Sequence, residues 1–422
     1  MRKMNPGERA ILVSASFGHV MCHVNMLVFP ALALPLAGRY GMPLAHVLGL
    51  SFHMYLLFGL TALPWGMAAD RLGGRLLMAV FYAGSCLSCL SAGLWMDSPF
   101  LFSLSLSALG LFAGIYHPAA LGMISKGISQ MGMAMGYNGI FGSLGVAGAP
   151  LLAGALNWLW GPKAAYIGLG GINLLGLVLM LAFPIPVLEK GGGPKDEGEG
   201  NGNLKAFLVL LAAMTLGGVA YRGATVILPA YMELRAESVF EWLSGFFVGN
   251  FSENLAATAL VSLVYLASMA GQYAGGRAAG RPNLKIRYLF FHAMTVPAAF
   301  LMAAASDIPL AALGMVYFFF LLGMQPIENT LVARLTPKKL HHSAYGVKFV
   351  MTFGVGALAV KMVERIEAAH GIQWVFPALG AVSVLLVGAI GVLFVFDRGD
   401  EKQIDRIKRR GIKKNAAHDR KS

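Results

Sequence analysis

The chain has 422 residues, of which 57% are hydrophobic and 13% charged, and a mean hydropathy of +0.66. A water-soluble protein of this size cannot clothe so apolar a surface, so composition excludes a soluble enzyme or binding module and leaves a polytopic membrane protein. The net charge of +13 does not mark a nucleic-acid partner, because basic residues gather at the amino terminus (Arg2, Lys3, Arg9), in alternate loops and from Arg398 to Lys421, where they set orientation and attract lipid headgroups.

With about 20 apolar residues per crossing, twelve helices are expected. The first six cover roughly 11–37, 46–69, 75–96, 99–124, 133–160 and 164–187. The second six cover roughly 204–232, 253–276, 285–305, 308–333, 343–366 and 371–396. No small-residue cleavage site follows the first apolar run, so it reads as a retained helix. The chain thus divides into a six-helix bundle over 1–187, a linker over 188–203, a second bundle over 204–397 and a basic tail over 398–422. The linker is Gly-rich and charged, and cannot bury a core.

Loop charges give the orientation. Arg71, Arg75, Lys126, Arg277, Arg281, Arg287 and Arg334 share one side with both basic ends, whereas Asp97, Glu233, Glu237, Glu241, Glu253 and Asp307 mark the other. Both termini are therefore expected in the cytoplasm, with the protein in the cell (inner) membrane. The stretch from Glu237 to Gly249 reads as an amphipathic segment on the outer interface, and Asn250-Phe251-Ser252 as a chance glycosylation sequon. Cys22, Cys86 and Cys89 all fall inside crossings, and Cys86-x-x-Cys89 reads as core packing.

The two halves echo one another. Gly66-Met67-Ala68-Ala69-Asp70-Arg71 recurs as Gly276-Arg277-Ala278-Ala279-Gly280-Arg281, His117-Pro118 as Gln325-Pro326, and Ala134-Met135-Gly136 as Ala344-Tyr345-Gly346. Between the second and third crossings stands Gly66-x-x-x-Asp70-Arg71-x-Gly73-x-Arg75. This pattern resembles the signature loop of the major facilitator superfamily of transporters; the bland reading is a solvated loop obeying the positive-inside rule. The resemblance implies an all-α fold of two pseudo-symmetric six-helix bundles, with substrate bound between them near the midplane. It also implies that Asp70 meets the start of the eleventh helix, near Ser343, where the helix dipole favours a negative charge by up to ~1 kcal/mol. Gly66, Asp70, Arg71, Gly73 and Arg75 would then latch the halves on the inner side, although the fourth crossing ends Ile124-Ser125-Lys126 and offers the arginines no carboxylate.

In the fifth crossing Gly136, Gly139, Gly142, Gly145 and Gly148 recur every three residues before Pro150 and Gly154. Each glycine costs roughly 1 kcal/mol against alanine, and close approach of a neighbouring backbone is the usual compensation in a membrane. Gly139, Gly142, Gly145, Gly148 and Pro150 are accordingly expected to pack helices. The Gly148-Ala149-Pro150 segment resembles the fifth-span motif of drug–proton antiporters. More widely, Phe17-Gly18-His19, Tyr116-His117-Pro118, Tyr221-Arg222 with Leu228-Pro229, and Phe353-Gly354-Val355-Gly356 resemble the fosmidomycin-resistance-like efflux proteins. His23 stands where that family is expected to carry an acid, and the loop from Ser125 to Met133 lacks its arginines.

Ionisable groups inside crossings are costly and thus functional candidates. His19 and His23 share one helix face; with Asn25 they either line a central cavity or are neutral histidines bonded to backbone carbonyls. His117, beside Tyr116, precedes Pro118, whose missing amide frees a carbonyl one turn back, so structural and substrate roles are both open. Arg222 cannot shed its proton and needs an anion, a cavity or the interface; the resemblance favours the cavity. Glu328 and Lys348 reach similar depths on consecutive antiparallel helices, where pairing lowers the cost of burying either. That pair is either static or broken when a proton reaches Glu328. The expected substrate-binding set is His19, His23, Asn25, Tyr116, His117, Arg222, Gln325 and Lys348, with His23 and Glu328 for protons.

The expected function is a secondary active transporter working by alternating access: proton-coupled efflux of a small amphiphilic or anionic compound. Uptake of a small organic or inorganic anion, and a non-transporting receptor or scaffold on the same fold, are the alternatives. No enzyme motif such as H-E-x-x-H or G-x-S-x-G occurs. No metal or cofactor is expected, and the partners are a small-molecule substrate, protons and the lipid bilayer around a monomer.

Overall fold

In a bilayer every backbone polar group must be satisfied within the chain, so long apolar segments become helices. The computed structural model describes residues 4–182, 203–246, 252–337 and 341–396. The linker up to 202, the first two sequon residues, positions 247–249 and the basic tail lie outside the described residues.

The first half comprises α1 (Pro6–Ala31), α2 (Ala33–Tyr40), α3 (Leu44–Gly49), α4 (Phe52–Leu60), α5 (Ala62–Leu72), α6 (Gly74–Leu94), α7 (Pro99–Ala113), α8 (Tyr116–Gly127), α9 (Met131–Trp160) and α10 (Pro162–Ala182). The second comprises α11 (Leu204–Arg235), α12 (Glu237–Ser244), α13 (Glu253–Ala279), α14 (Leu284–Ala304), α15 (Asp307–Gly323), α16 (Gln325–Leu335), α17 (His341–Phe349), α18 (Leu358–His370) and α19 (Val375–Phe396). Among the described residues eleven helices are long and apolar enough to cross a membrane; a twelfth crossing arises if the bent pair Ala33–Tyr40 and Leu44–Leu60, meeting at 114°, counts as one. The fold is the expected all-α arrangement of two six-helix sets.

The second expected crossing is a broken rod of α3, α4 and α5. Ser51 and Thr61, at the two breaks, donate their hydroxyls to Leu48 O (2.8 Å) and Thr61's own upstream Leu57 O (2.7 Å), a back-bonding that competes with the helix ladder and bends it. Caps fix several starts. Asn5 and Glu8 form a reciprocal capping box before α1, and the Ser252 hydroxyl accepts from Leu255 N before α13. Gly73 joins α5 to α6 at φ +94°, a conformation that excludes most side chains. Large apolar residues such as Leu87, Leu94 and Phe100 point outward at 68–75% exposure, a surface that only lipid tolerates.

The starts of α1 and α11 and the end of α19 share one end of the bundle, where Asn203 Nδ2 donates to Phe396 O at 2.7 Å. At the opposite end the halves meet along three seams. Asn254 donates to Ala31 O at 2.8 Å, Gly154 lies against Thr258, and Gly49 lies against the Glu364 carboxylate.

Candidate substrate cavity

Midway along the bundle the halves enclose a cavity of about 190 Å³. Its first-half wall is built from His19 and His23 of α1, His117 of α8, and Gly139 and Gly142 of α9. Gln325, Glu328 and Asn329 of α16 and Lys348 of α17 form the facing wall.

Two paired helix breaks place these side chains. The fourth crossing stops at Ala113 and resumes at Tyr116, one residue before His117-Pro118; the tenth stops at Gly323 and resumes at Gln325-Pro326. A proline lacks the amide that would bond the carbonyl four residues back, here those of Gly114 and Leu322, so each break falls where the duplicated X-Pro requires it. The expected correspondence of His117 with Gln325 therefore holds in space.

On the first-half wall the His19 Nδ1 donates to Asn138 O at 2.7 Å. Its ring centroid lies 5.0 Å from His23 and 5.4 Å from His117, and its face stacks on Tyr116 at 4.9 Å. His117 reaches across the seam and stacks on Phe349 at 5.2 Å. On the facing wall Lys348 Nζ lies 2.6 Å from Glu328 Oε1 and 2.6 Å from Asn329 Oδ1, and Tyr288 donates to Glu328 Oε2 at 2.8 Å. The Lys348 and Glu328 side chains are only 10% and 3% exposed, so each charge is compensated where solvent is scarce.

Six of the expected residues thus line the cavity: His19, His23, His117, Gln325, Glu328 and Lys348. Three do not. Asn25 is buried behind the wall in a reciprocal amide pair with Asn173, at 2.9 and 3.3 Å. Tyr116 is buried too, its hydroxyl 2.9 Å from Ala15 O and 3.0 Å from Asn138 Oδ1, and it supports the His19 ring from behind. Arg222 lies next to the lining residue Tyr221, its guanidinium 3.7 Å over the Tyr55 ring, with Nε and Nη1 buried and, among the described residues, without a hydrogen-bond partner. In each case a step of only one or two residues, a fraction of a turn, separates a cavity-facing residue from a packed one, and apolar crossings carry little periodicity to tell them apart.

At the expected latch, α5 packs against α17, with Leu63 against Gly346. Asp70 pairs with Lys126 at 3.0 Å, within its own half, while the Ser343 side chain lies outside the described residues. Lys126, the residue that ends the fourth crossing, is thus the charge partner of the Asp70 carboxylate. Arg71 is exposed, and Arg75 donates to Leu181 O at 3.4 Å. Gly66 packs on Pro118.

Of the α9 glycines, Gly142 abuts the His19 ring and Gly145 the Val20 backbone, as close packing requires. Gly139 and Gly148 have nothing within 4 Å of where a Cβ would stand; they are not packing glycines, and Gly139 borders the cavity instead. Pro150 is buried within α9.

Sequence reasoning missed Tyr288, Asn329, Asn138 and Phe349. It also missed a π-helical turn over Val350–Gly354, continued by a 3₁₀ turn over Val355–Ala357, between α17 and α18. The Phe353-Gly354-Val355-Gly356 motif was the available signal. Gly354 and Gly356 admit the backbones of Gly59 and Gly218 from the second and seventh crossings. Such a widened turn commonly marks a functional hinge.

The family model of the Major Facilitator Superfamily matches residues 15–360. The chain belongs to that superfamily. Among curated relatives of this superfamily member is the puromycin resistance protein pur8 of Streptomyces alboniger, 32% identical over 154 residues, a match covering 32% of this chain and 30% of the relative. Among solved structures, a bacterial homolog of the human lysosomal transporter Spinster, inward-facing and occupied, aligns with TM-score 0.71 at 13% identity over 94% of this chain and 99% of that one. The nucleoside transporter NupG aligns with TM-score 0.72 at 12% identity over 91% and 100%. At such identities these two likenesses speak for the fold, which is that of major facilitator transporters in a membrane.

Proposed function

We propose that the protein is a proton-coupled secondary transporter that exports a small amphiphilic or anionic compound by alternating access, in the manner implied by its resemblance to fosmidomycin-resistance-like efflux proteins. The observation that carries this reading is the Glu328–Lys348 pair at 2.6 Å on the wall of a cavity between two similar halves. A proton on Glu328 cancels its charge and frees the Lys348 ammonium for an anionic solute, so the solute and the Glu328 carboxylate compete for one ammonium and solute binding is linked to protonation. Arg222 adds fixed positive charge behind Tyr221. A cavity of about 190 Å³ is smaller than the ~300–1,000 Å³ of pockets for drug-sized ligands, which favours a small solute over one of puromycin's bulk in this conformation. The resistance relative supports export.

The end that carries Arg71, Arg75, Lys126, Arg277 and Arg281 faces the cytoplasm on this reading, in the inner membrane, with halves 1–187 and 204–397 working as a monomer. The exposed α12, with its Trp242 and the adjoining Phe246, rests on the outer interface. Release outward needs the seams at Asn254, Thr258 and Gly49 to part.

Proteoliposomes carrying an internal pH dye test this, with fosmidomycin, a carboxylate and a hydrophobic cation as probes. A probe that raises the melting temperature is expected to drive proton flux in the wild type; Glu328→Gln loses that flux yet still exchanges the probe. Arg222→Ala is expected to abolish transport while the protein still reaches the membrane. Wild-type flux in Arg222→Ala, or probe transport with no proton movement, refutes the reading.

A further inference from the structure

The three imidazoles on the first-half wall form more than an aromatic cluster. One nitrogen from each of His19, His23 and His117 lies within 4.8 Å of the others. We propose that these three side chains bind one divalent transition-metal ion at the cavity wall, zinc by preference. This goes beyond the transport reading and does not depend on it.

Four features of the cluster point the same way. His19 and His23 are four residues apart on α1, the helical spacing that sets two imidazoles on one face toward one ion. His19 gives its Nδ1–H to Asn138 O, which leaves the lone pair on Nε2; a carbonyl holding the far nitrogen is the usual outer partner of a metal-bound imidazole. His117 Nε2 is buried without a hydrogen-bond partner on a residue that lines the cavity, and a metal ion satisfies such a nitrogen. Zinc–nitrogen bonds of about 2.0–2.1 Å put tetrahedral ligands ~3.3 Å apart. Each pair therefore closes by at most about 1.5 Å from the 4.8 Å limit, a movement that two rotatable side chains can share.

The donor set selects the ion. Three imidazoles without a carboxylate suit zinc, nickel, cobalt or copper and not magnesium or calcium. The neighbouring Cys22 is turned away, its Sγ directed at Ala113 O, so no thiolate joins the set. Three protein ligands leave the fourth position of a tetrahedral ion on the cavity side, as in zinc sites that take water or a substrate oxygen. The surroundings say which. Neutral imidazoles leave the ion's double charge intact, Lys348 is matched by Glu328, and the Arg222 guanidinium nearby has no carboxylate partner. An anionic fourth ligand offsets that excess, so the site takes the metal together with an anionic oxygen donor. His117 also stacks on Phe349 of the other half, so holding its ring holds one contact across the seam.

The spacing in sequence hid this site. His117 lies about a hundred residues from His19 and His23, and only the break before Pro118 turns it toward α1.

The test uses the full chain, purified in detergent with no affinity tag and titrated with Co²⁺ alone as the optical probe. One equivalent is expected to give the visible absorption of four-coordinate cobalt, removed by one equivalent of Zn²⁺. His23→Ala and His117→Ala are each expected to weaken the metal at least about tenfold, a loss no smaller than that for an outer-shell partner, whereas Glu328→Gln keeps it. Because either histidine variant can fail to fold, zinc-edge X-ray absorption on the wild type supplies an independent reading: three imidazole ligands at about 2.0–2.1 Å. No stoichiometric cobalt spectrum, affinity unchanged in folded His23→Ala and His117→Ala, or a zinc shell with sulfur or fewer than three imidazoles overturns the proposal. Proton flux in the liposome assay is a separate readout and survives or fails independently.

Discussion

The fourth and tenth crossings are the same backbone device carrying opposite chemistry. Both stop and restart at an X-Pro step, between α7 and α8 and between α15 and α16. In the first half the step presents His117, which joins two other imidazoles and, among the described residues, no charge partner. In the second it presents Gln325, and one turn later Glu328, held by Lys348 and Tyr288. Duplication explains the shared kink; divergence at the side chains makes one wall a cluster of imidazoles and the other an ion pair. The cavity is therefore polar on both faces yet asymmetric.

Removing one member of each wall sharpens that contrast most. Glu328→Ala leaves Lys348 buried without its carboxylate, and breaking a buried pair from one side costs about 3–5 kcal/mol. His117→Phe trades one flat ring for another against Phe349 and is expected to cost less than about 1.5 kcal/mol. Denaturant unfolding in detergent compares the two; equal losses would mean that the second-half pair is not the more strongly coupled wall.

How far the sequence carried this picture follows the same division. The twelve crossings, the duplicated X-Pro steps and the Glu328–Lys348 pair were readable, because each rests on length, repetition or complementary charge. The inward or outward facing of Asn25, Tyr116 and Arg222 was not. In a bilayer both the core and the lipid are apolar, so hydropathy does not distinguish a residue behind the wall from one on it. The partner of Asp70 was hidden for a related reason: Lys126 belongs to its own half, and family resemblance pointed across the seam. The π-helical turn depends on backbones of two other crossings meeting Gly354 and Gly356, which no local pattern states.

A finer comparison lies between α9 and its counterpart. Counting from the matched Gly136 and Gly346, Gly142 corresponds to Thr352, which lies in the π-helical turn. The first half thus keeps an unbroken α-helix where a side chain is left out, whereas the second widens its helix. A methyl at Gly142 meets the His19 ring at 2.4 Å, so Gly142→Ala is expected to destabilise by about 1–3 kcal/mol. Gly139→Ala meets nothing within 4 Å and gains up to about 1 kcal/mol of helix propensity. Melting temperatures of the two variants should move in opposite directions; a common fall would show that α9 tolerates no side chain on either face.

The smallest effect separates the two acidic loops at the opposite end. Asp307 accepts from Ser238 N and Val239 N, capping α12. Asp97, its positional counterpart, instead sits between two cations, bonded to Lys163 and Arg39 and thereby joining three loops of the first half. Lys163 first, then Arg39, hold the Asp97 carboxyl below its ordinary range. A carboxyl whose pKa is lower folded than unfolded stabilises the fold above its unfolded value of about 3.9 and loses that contribution as pH falls through the folded value. The wild type is therefore expected to melt slightly above Asp97→Asn near neutral pH, with the gap closing below about pH 4. Because the three side chains are exposed, salt should narrow the same gap. A difference that persists unchanged in acid and in high salt would assign Asp97 a packing role like that of Asp307, and the two loops would no longer differ.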